Sequence, residues 1–378
     1  MCYDPAHVDI LIDYRPALRQ RTGVGEYVHG LATSLAARLD RGDSLTVFSS
    51  SWKDRLAPSS VPGAHHVDAR IPVRLLNLGW HRLEWPPVEW LGPPIDIVHS
   101  LHPLLIPSRG AAQVVTVCDF HFLDRPEHTS AEIRRDYAAL AKAHVRRADA
   151  VVVISKYTSR QVVERFGVDA AHVSVCYPGR PSWAPRDQPS RLGPILFLGT
   201  VEPRKNLPRL IQAYAAVLNR RPDAPDLVIA GRMLISRDEI LSAARSAGPD
   251  EGRVKFMGYV DDDERQRLLR EASMLVLPSL DEGFGIPALE AMTLGLPVIA
   301  SNRGALPEVV HDAGLLVNPE DVRGLAAAIE TLIADGELRR SLAARGIQQA
   351  ANFSWDSSAA SLYDAYRAAV ARKQRSPR

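Results

Sequence analysis

Leu280-Asp281-Glu282-Gly283-Phe284-Gly285-Ile286-Pro287-Ala288-Leu289-Glu290 follows an apolar run, 274–279, and leads into a helical pattern. A buried strand, a glycine-punctuated turn and a helix start thus come in immediate succession, as they do in a parallel α/β sheet. Gly283 and Gly285 let backbone come close to a ligand. Pro287 suits a first helical turn, and the N–H groups exposed at that turn attract an anion such as a diphosphate. Glu282 lies before the helix and Glu290 about one turn inside it. Two carboxylates can therefore accept hydrogen bonds from different hydroxyl-bearing parts of one ligand, and sugars and ribose offer such hydroxyls. A plain turn with two solvated glutamates is the lesser reading.

The same rhythm runs through the chain. Short runs rich in Val and Ile predict strands at 7–13, 45–50, 95–100, 113–119, 150–155 and 173–177, and again at 195–199, 227–231, 254–258, 274–279, 297–301 and 315–318, with helical patterns between many of them. The fold class is α/β. Between the two series, 177–194 (YPGRPSWAPRDQPSRLGP) is too dense in proline, glycine and charge for a strand or helix, and an interdomain hinge is expected there. A last helix at 357–371 carries Leu362, Tyr363, Tyr366 and Val370 as one apolar stripe, which needs a surface to cover. It is expected to cross back onto the first domain. The expected domains are 1–182, joined by about 357–372, and 190–356, with a frayed tail at 373–378.

Bulk properties agree. At 378 residues the chain exceeds one ordinary core, and about 150 residues per domain makes two the working number. Hydrophobic residues are 46% and charged residues 24%, as in soluble globular proteins. Lys plus Arg (46) nearly balances Asp plus Glu (44), which gives no field that implies nucleic acid as a partner. Cys2, Cys118 and Cys176 are far apart and form no CxxC pair, which argues against a disulfide framework or zinc site and favours a reducing cytosol. The first residues lack a signal-peptide pattern, and no run approaches the roughly 18 apolar residues of a membrane-spanning helix. The expected location is cytoplasmic, with any membrane contact peripheral.

A second chemical signal is Gly199-Thr200-Val201-Glu202-Pro203-Arg204-Lys205-Asn206, at the carboxyl end of a predicted strand, where ligands bind in open α/β sheets. Arg204 and Lys205 suit a leaving diphosphate, one as a planar fork and the other as a point charge. A solvated charged loop is the plain alternative. The Gly-Lys-Ser/Thr ending of an NTPase phosphate loop is missing, and neither domain carries GxGxxG after its first strand, which weighs against a dinucleotide cofactor.

At these residues the chain resembles the GT-B glycosyltransferases of family 4, within them most closely the bacterial mannosyltransferase-like enzymes of polysaccharide assembly. The resemblance spans nearly the whole chain. It rests on Gly23-Val24-Gly25-Glu26-Tyr27, His99-Ser100-Leu101-His102, the run from Arg147 to Ser155, Gly199 to Asn206, Glu282 to Glu290, and Phe353-Ser354-Trp355. It implies two Rossmann-like doubly wound domains facing a cleft, and a retaining transfer of a hexose from a nucleoside-diphosphate sugar to a glycan or lipid-linked acceptor. Mannose, carried as GDP-mannose, leads. No cofactor or catalytic metal is implied.

By the same resemblance Glu282 and Glu290 are the acids of the family's E-x7-E element, the first near the transferred sugar and the second on the ribose. Arg204 and Lys205 hold the diphosphate. Gly199 belongs to the donor loop, backbone of Gly283, Phe284, Gly285 and Ile286 faces the donor, and Gly258 and Tyr259 lie near the base. The loop at Gly23 and Gly25 closes over the donor from the first domain. Asp119 joins the catalytic set beside Cys118, where many relatives carry His-Asp. Either that histidine's role is dispensable here or another group, such as His121, takes it over. A sugar-nucleotide epimerase of the same fold and a non-catalytic sugar-nucleotide-binding subunit are the alternatives.

Other candidates are weaker. Asp261-Asp262-Asp263 opens a polar helix, where acids cap N–H groups, rather than a DxD metal site. His65-His66 and the pair His99 and His102 lack the further ligands a metal needs. Arg134-Arg135 and the cations from Lys142 to Arg147 read as a solvated face, or as a contact with anionic lipid headgroups on the inner face of the cell membrane.

Overall fold

The computed structural model describes residues 7–18, 23–129, 131–187, 192–244 and 251–375; Cys2, part of the expected hinge (188–191) and the end of the expected tail (376–378) lie outside the described residues. The chain divides into two units, one running to Gly179 and resuming at Ser354, the other Arg180–Phe353.

In the first unit β1 (Asp9–Asp13), β2 (Ser44–Ser49), β3 (His65–Asp68), β4 (Ile97–Ser100), β5 (Ala112–Val117), β6 (Ala150–Val153) and β7 (Val173–Val175) form a parallel sheet in the order β3-β2-β1-β4-β5-β6-β7. In the second, β8 (Ile195–Leu198), β9 (Leu227–Ala230), β10 (Val254–Gly258), β11 (Met274–Leu277), β12 (Val298–Ser301) and β13 (Gly314–Val317) run parallel as β10-β9-β8-β11-β12-β13. Both orders start at the centre, run out one way and return to run out the other, which is the doubly wound Rossmann pattern. The inner strands are buried on both faces, so they read as unbroken Val, Ile and Leu.

The structure corrects the sequence reading in three places. β3 was not expected; its residues His65-His66-Val67-Asp68 are partly exposed at the sheet edge and carry one strong apolar side chain. Several expected strands ran long at their carboxyl ends, where Cys118 and Asp119, for example, lie past β5. The last helix runs Trp355–Arg375, so Lys373 to Arg375 are helical.

That helix belongs to the first unit's core. Ala359, Leu362, Tyr366 and Ala369 are buried with Val28, Leu31 and Leu35 of the helix Val24–Arg38, and Tyr363 and Val370 pack at the margin. Its polar groups are also tied to the sheet side: Tyr366 Oη lies 2.7 Å from His99 Nδ1, and Arg372 Nη1 donates to the Asp149 carbonyl at 2.7 Å. Leu362 is 0% exposed. Leu362→Ala is therefore expected to destabilise the protein by about 2–5 kcal/mol, while Asp364→Ala on the exposed side stays within about 0.5 kcal/mol. Denaturant melts of the two variants check this, and equal midpoints would show that the helix does not complete the core.

Candidate active site

In the second sheet the chain moves outward from β8 in one direction and from β11 in the other. Ligands of open α/β sheets bind outside the carboxyl ends of such a pair. Two loops meet there, 199–206 after β8 and 278–285 after β11. Leu280 N donates to the Arg204 carbonyl at 2.7 Å, Arg204 Nη1 to the Asp281 carbonyl at 3.1 Å, and Asn206 Nδ2 to the carbonyls of Pro278 and Pro319 at 3.1 and 2.7 Å. The loops are thus one hydrogen-bonded body, although far apart in sequence.

Charge is concentrated in the same place. The Glu282 carboxylate accepts from Arg204 Nη1 at 2.9 Å, from Ser279 Oγ at 2.9 Å, and from Lys205 Nζ. Arg204 Nε also pairs with Glu202 Oε1 at 2.7 Å. Glu282 is 6% exposed and Lys205 8%. Burial pushes the Glu282 carboxyl up, but Lys205 and Arg204 beside it outweigh this and bring it down to about 2. Burial lowers Lys205, and Glu282 pulls it back towards the charged form. Sequence reasoning gave Glu282 to a sugar and the two cations to a diphosphate; the structure joins all three in one ion cluster.

Backbone supports that cluster closely. Ala305 N donates to the Glu282 carbonyl at 2.9 Å, and a Cβ at Gly304 (φ +65°) would lie 2.6 Å from Glu282 N, so only glycine fits this brace after β12. A Cβ at Gly231 (φ +145°) would lie 1.9 Å from the Gly199 carbonyl oxygen, and Gly231 N donates to the Gly258 carbonyl at 2.7 Å. Gly199, Gly231 and Gly258 therefore form a row across the carboxyl ends of β8, β9 and β10. Sequence reasoning missed Gly231 and Gly304, although a glycine just past an apolar strand was the available signal.

Gly285 (φ +103°) is the residue before the helix Ile286–Thr293, whose first N–H groups have no partner within the helix. Phe284 is buried edge-on against Phe353 (centroids 5.5 Å, 82°), so its side chain anchors the turn. Gly283 lies beside it in the same turn. Glu290, 4% exposed in that helix, pairs with Arg265 Nη1 at 3.2 Å, a residue that sequence reasoning did not single out. Tyr259 is 41% exposed just past β10. Asp261 caps the helix Asp262–Glu271, accepting from Glu264 N at 2.9 Å.

Gly23, Gly25 and Asp119 belong to the first unit. Gly23 precedes the helix Val24–Arg38 with φ +44°, and Gly25 is buried in its first turn. Asp119 Oδ1 accepts from His121 N at 3.1 Å, which makes it the cap of a short turn. Desolvation, with Asp119 adding to it, pushes the Cys118 thiol far up, so the thiol stays protonated at neutral pH.

The switch point of the first sheet, between β1 and β4, holds a further polar group. Asp13 Oδ2 meets Arg15 Nη2 at 2.6 Å and His102 Nε2 at 3.5 Å, and Arg15 Nη1 donates to Asn77 Oδ1 at 2.7 Å. Burial pushes the Asp13 carboxyl up, but Arg15 and His102 outweigh it and hold the group well below the usual carboxylate range. The signal available for Asp13 and Arg15 was the charged ending of the first apolar strand. His99 is a core residue, bonded to Tyr366 Oη and to Thr116 Oγ1 at 2.8 Å, and burial lowers it to about 3. Among the described residues no group of three or more His, Cys, Asp or Glu is placed to hold a metal.

Residues 21–182 match the family model described as Glycosyltransferase Family 4, and residues 188–349 match Glycosyl transferases group 1. The chain is similar to O-antigen chain mannosyltransferase B of Escherichia coli, 31% identical over 284 residues that cover 72% of this chain and 74% of that one. Among solved structures it is similar to the sucrose-phosphate synthase of Thermosynechococcus elongatus, with a TM-score of 0.75, 22% identity, and 96% and 98% of the two chains covered. It is also similar to Anabaena Alr3699/HepE, solved in complex with UDP and glucose, with a TM-score of 0.65, 18% identity, and 95% and 99% covered. At these identities the two structures bear on the fold.

The ion cluster has a pH signature. The folded value of Glu282, about 2, lies below the ordinary 4.5, so its stabilisation is complete above that ordinary value and disappears as the pH falls through the folded one. Glu282→Gln leaves two buried cations without their shared carboxylate and is expected to destabilise by about 3–5 kcal/mol at neutral pH. Melting curves of both proteins across the acid range should converge towards pH ~2. A gap that stays constant to the acid limit would mean that Glu282 is not held as a buried carboxylate.

Proposed function

Because the chain belongs to the family 4 glycosyltransferases, we propose that it moves a hexose from a nucleoside-diphosphate sugar to a hydroxyl of a glycan or glycolipid in cell-surface polysaccharide assembly, with the anomeric configuration kept. Mannose carried by GDP is the first choice, supported by the similarity to a mannosyltransferase. The reading rests on one observation: Arg204, Lys205 and Glu282 form a buried ion cluster at the switch point of the second sheet, beside the start of the helix Ile286–Thr293.

In this reading the second unit is the donor-binding one. The diphosphate lies against Arg204, Lys205 and the backbone of Gly199, Gly283, Phe284, Gly285 and Ile286. Glu282 borders the transferred sugar, Glu290 takes the ribose, and Gly258 and Tyr259 flank the base. Gly23, Gly25 and Asp119 act from the first unit, which supplies the acceptor side. Its buried Asp13, with the partly exposed Arg15 and His102, offers polar groups suited to sugar hydroxyls.

The chemistry is a displacement at the anomeric carbon. The bond from that carbon to the diphosphate oxygen breaks, its electron pair staying on the oxygen, and a bond to the acceptor oxygen forms on the same face. The acceptor proton passes to the departing phosphate oxygen, so no strong protein base is needed. Arg204, Lys205 and the helix start stabilise the charge that develops there, which makes the reaction metal-independent in this reading.

Among the described residues no helix is long and apolar enough to cross a membrane. The first unit nevertheless exposes Leu75, Leu78, Leu83, Trp85 and Trp90. Trp85 and Trp90 meet edge-on at 5.8 Å, and Arg109 lies 4.7 Å over Trp90. Arg70, Arg74, Arg82 and Arg109 of the same stretches of chain are also exposed, and this mix of exposed apolar and cationic side chains supports peripheral contact of a cytoplasmic enzyme with an anionic membrane bearing a lipid-linked acceptor.

Lys205→Ala separates a catalytic from a merely structural cation. Turnover is expected to fall by about 10² to 10³ in a variant that still folds, and a loss of only a few fold would remove the diphosphate role. A thermal-shift comparison of GDP-, UDP-, ADP- and dTDP-sugars identifies the donor, since a ligand of the native state raises the melting point. Donor incubated without acceptor should yield no new sugar nucleotide; if one forms, the enzyme is an epimerase.

A further inference from the structure

The helix Asp262–Glu271 begins shortly after Gly258 and Tyr259, and its first turn carries Arg265. The guanidinium is enclosed. Its Nη1 lies 3.2 Å from Glu290 Oε1, its Nη2 3.3 Å from Asp262 Oδ1, and the Trp183 ring 5.7 Å from its carbon. The side chain is 15% exposed, that of Glu290 5%, and Arg265 Nε is buried with no hydrogen-bond partner among the described residues. An apolar pair of similar volume is often as stable as a buried ion pair, and an unmet buried N–H adds to the desolvation penalty. Stability alone therefore does not account for an arginine at this position. Clamping does: Asp262 on its own helix and Trp183 on its open side fix the guanidinium in one place.

We propose that Arg265 is the positioning residue for Glu290, holding its carboxylate in one rotamer so that the site discriminates a ribose from a sugar lacking its hydroxyls. The inference rests on the reading that Glu290 meets the donor ribose. A carboxylate has about four acceptor sites, so it can accept from the guanidinium and from two hydroxyls together. A low-dielectric surrounding strengthens both interactions. Arg265 itself touches no reacting atom, so its effect falls on donor recognition, not on the chemical step.

The test is calorimetric. Dissociation constants of GDP and UDP, and of their 2′,3′-dideoxy counterparts, are measured for the wild type, Glu290→Gln, Arg265→Met and Arg265→Lys. The wild type is expected to prefer the ribo form of its nucleotide by about 10-fold to 100-fold, the range of a charge-assisted hydrogen bond. Glu290→Gln and Arg265→Met should both reduce that preference to a few fold, with Arg265→Lys retaining most of it. With donor and acceptor, Arg265→Met should raise KM for the donor and leave kcat near wild type, a split that general loosening of the fold would not give. If Arg265→Met does not fold, Arg265→Gln, which keeps donors and loses charge, is judged by the same ratio. Preference lost in Glu290→Gln but intact in the Arg265 variants overturns the positioning role and leaves the ribose reading standing. Preference intact in Glu290→Gln, or wild type binding neither nucleotide, overturns the ribose reading and this inference with it.

Discussion

A carboxylate buried between two cations holds the second unit's site together. Arg204 and Lys205 are adjacent in sequence, Lys205 buried and Arg204 partly so, and their mutual repulsion and desolvation would favour splaying the loop outward. Glu282, delivered from the loop after the neighbouring central strand, removes that tendency by bonding both. The arrangement needs β8 and β11 side by side, which only a sheet that reverses its direction of growth at that point provides. The glycine brace at Gly304 and the carboxamide of Asn206 then keep the loops at a fixed separation. Sheet order, loop hydrogen bonds and ion cluster are one constraint expressed at three scales.

The first unit repeats the topology with a different electrostatic content. Its switch point carries Asp13 between Arg15 and His102, and Arg15 also lies 4.9 Å over the buried Trp80 ring. Here one carboxylate is the centre, flanked by an arginine and a histidine. In the second unit two carboxylates, Glu202 and Glu282, flank a cationic pair. The same backbone framework thus presents a carboxylate held by an arginine and a histidine at one point and a cationic pair held by carboxylates at the other. Fold alone does not make that distinction; the side chains just past the central strands do.

Much of this was legible because parallel strands leave a strong trace. Unbroken Val, Ile and Leu runs marked the buried strands, and glycine or proline marked their ends. β3 escaped because an edge strand has one face to satisfy and needs fewer apolar residues. Glu282, Glu290, Arg204 and Lys205 were legible because each sits beside backbone punctuation that only a close turn requires. Arg265 carries no such punctuation and acquires meaning from Glu290, which the fold alone brings near, while Asp13 and Arg15, neighbours in sequence, gain His102 and Asn77 in the same way. The exposed Trp85 and Trp90 follow no period, so their pairing under Arg109 became visible only in three dimensions.

The formal charges of Arg204, Lys205, Glu202 and Glu282 cancel, which bears on how the proposed reaction would run. A site of bare cations would grip the intact donor diphosphate as firmly as the departing one, and uniform binding does not raise the rate of the chemical step. With both cations already shared with carboxylates, a donor diphosphate bound as proposed would compete with Glu202 for Arg204 and with Glu282 for Lys205. In that proposal, negative charge growing on one phosphate oxygen as the anomeric bond breaks would shift the balance of that competition towards the phosphate. The cations need not travel to meet it, because Glu282 has held them in place throughout. Such a site spends little on binding the donor and responds most where charge develops, which is the condition for electrostatic preorganisation to accelerate transfer.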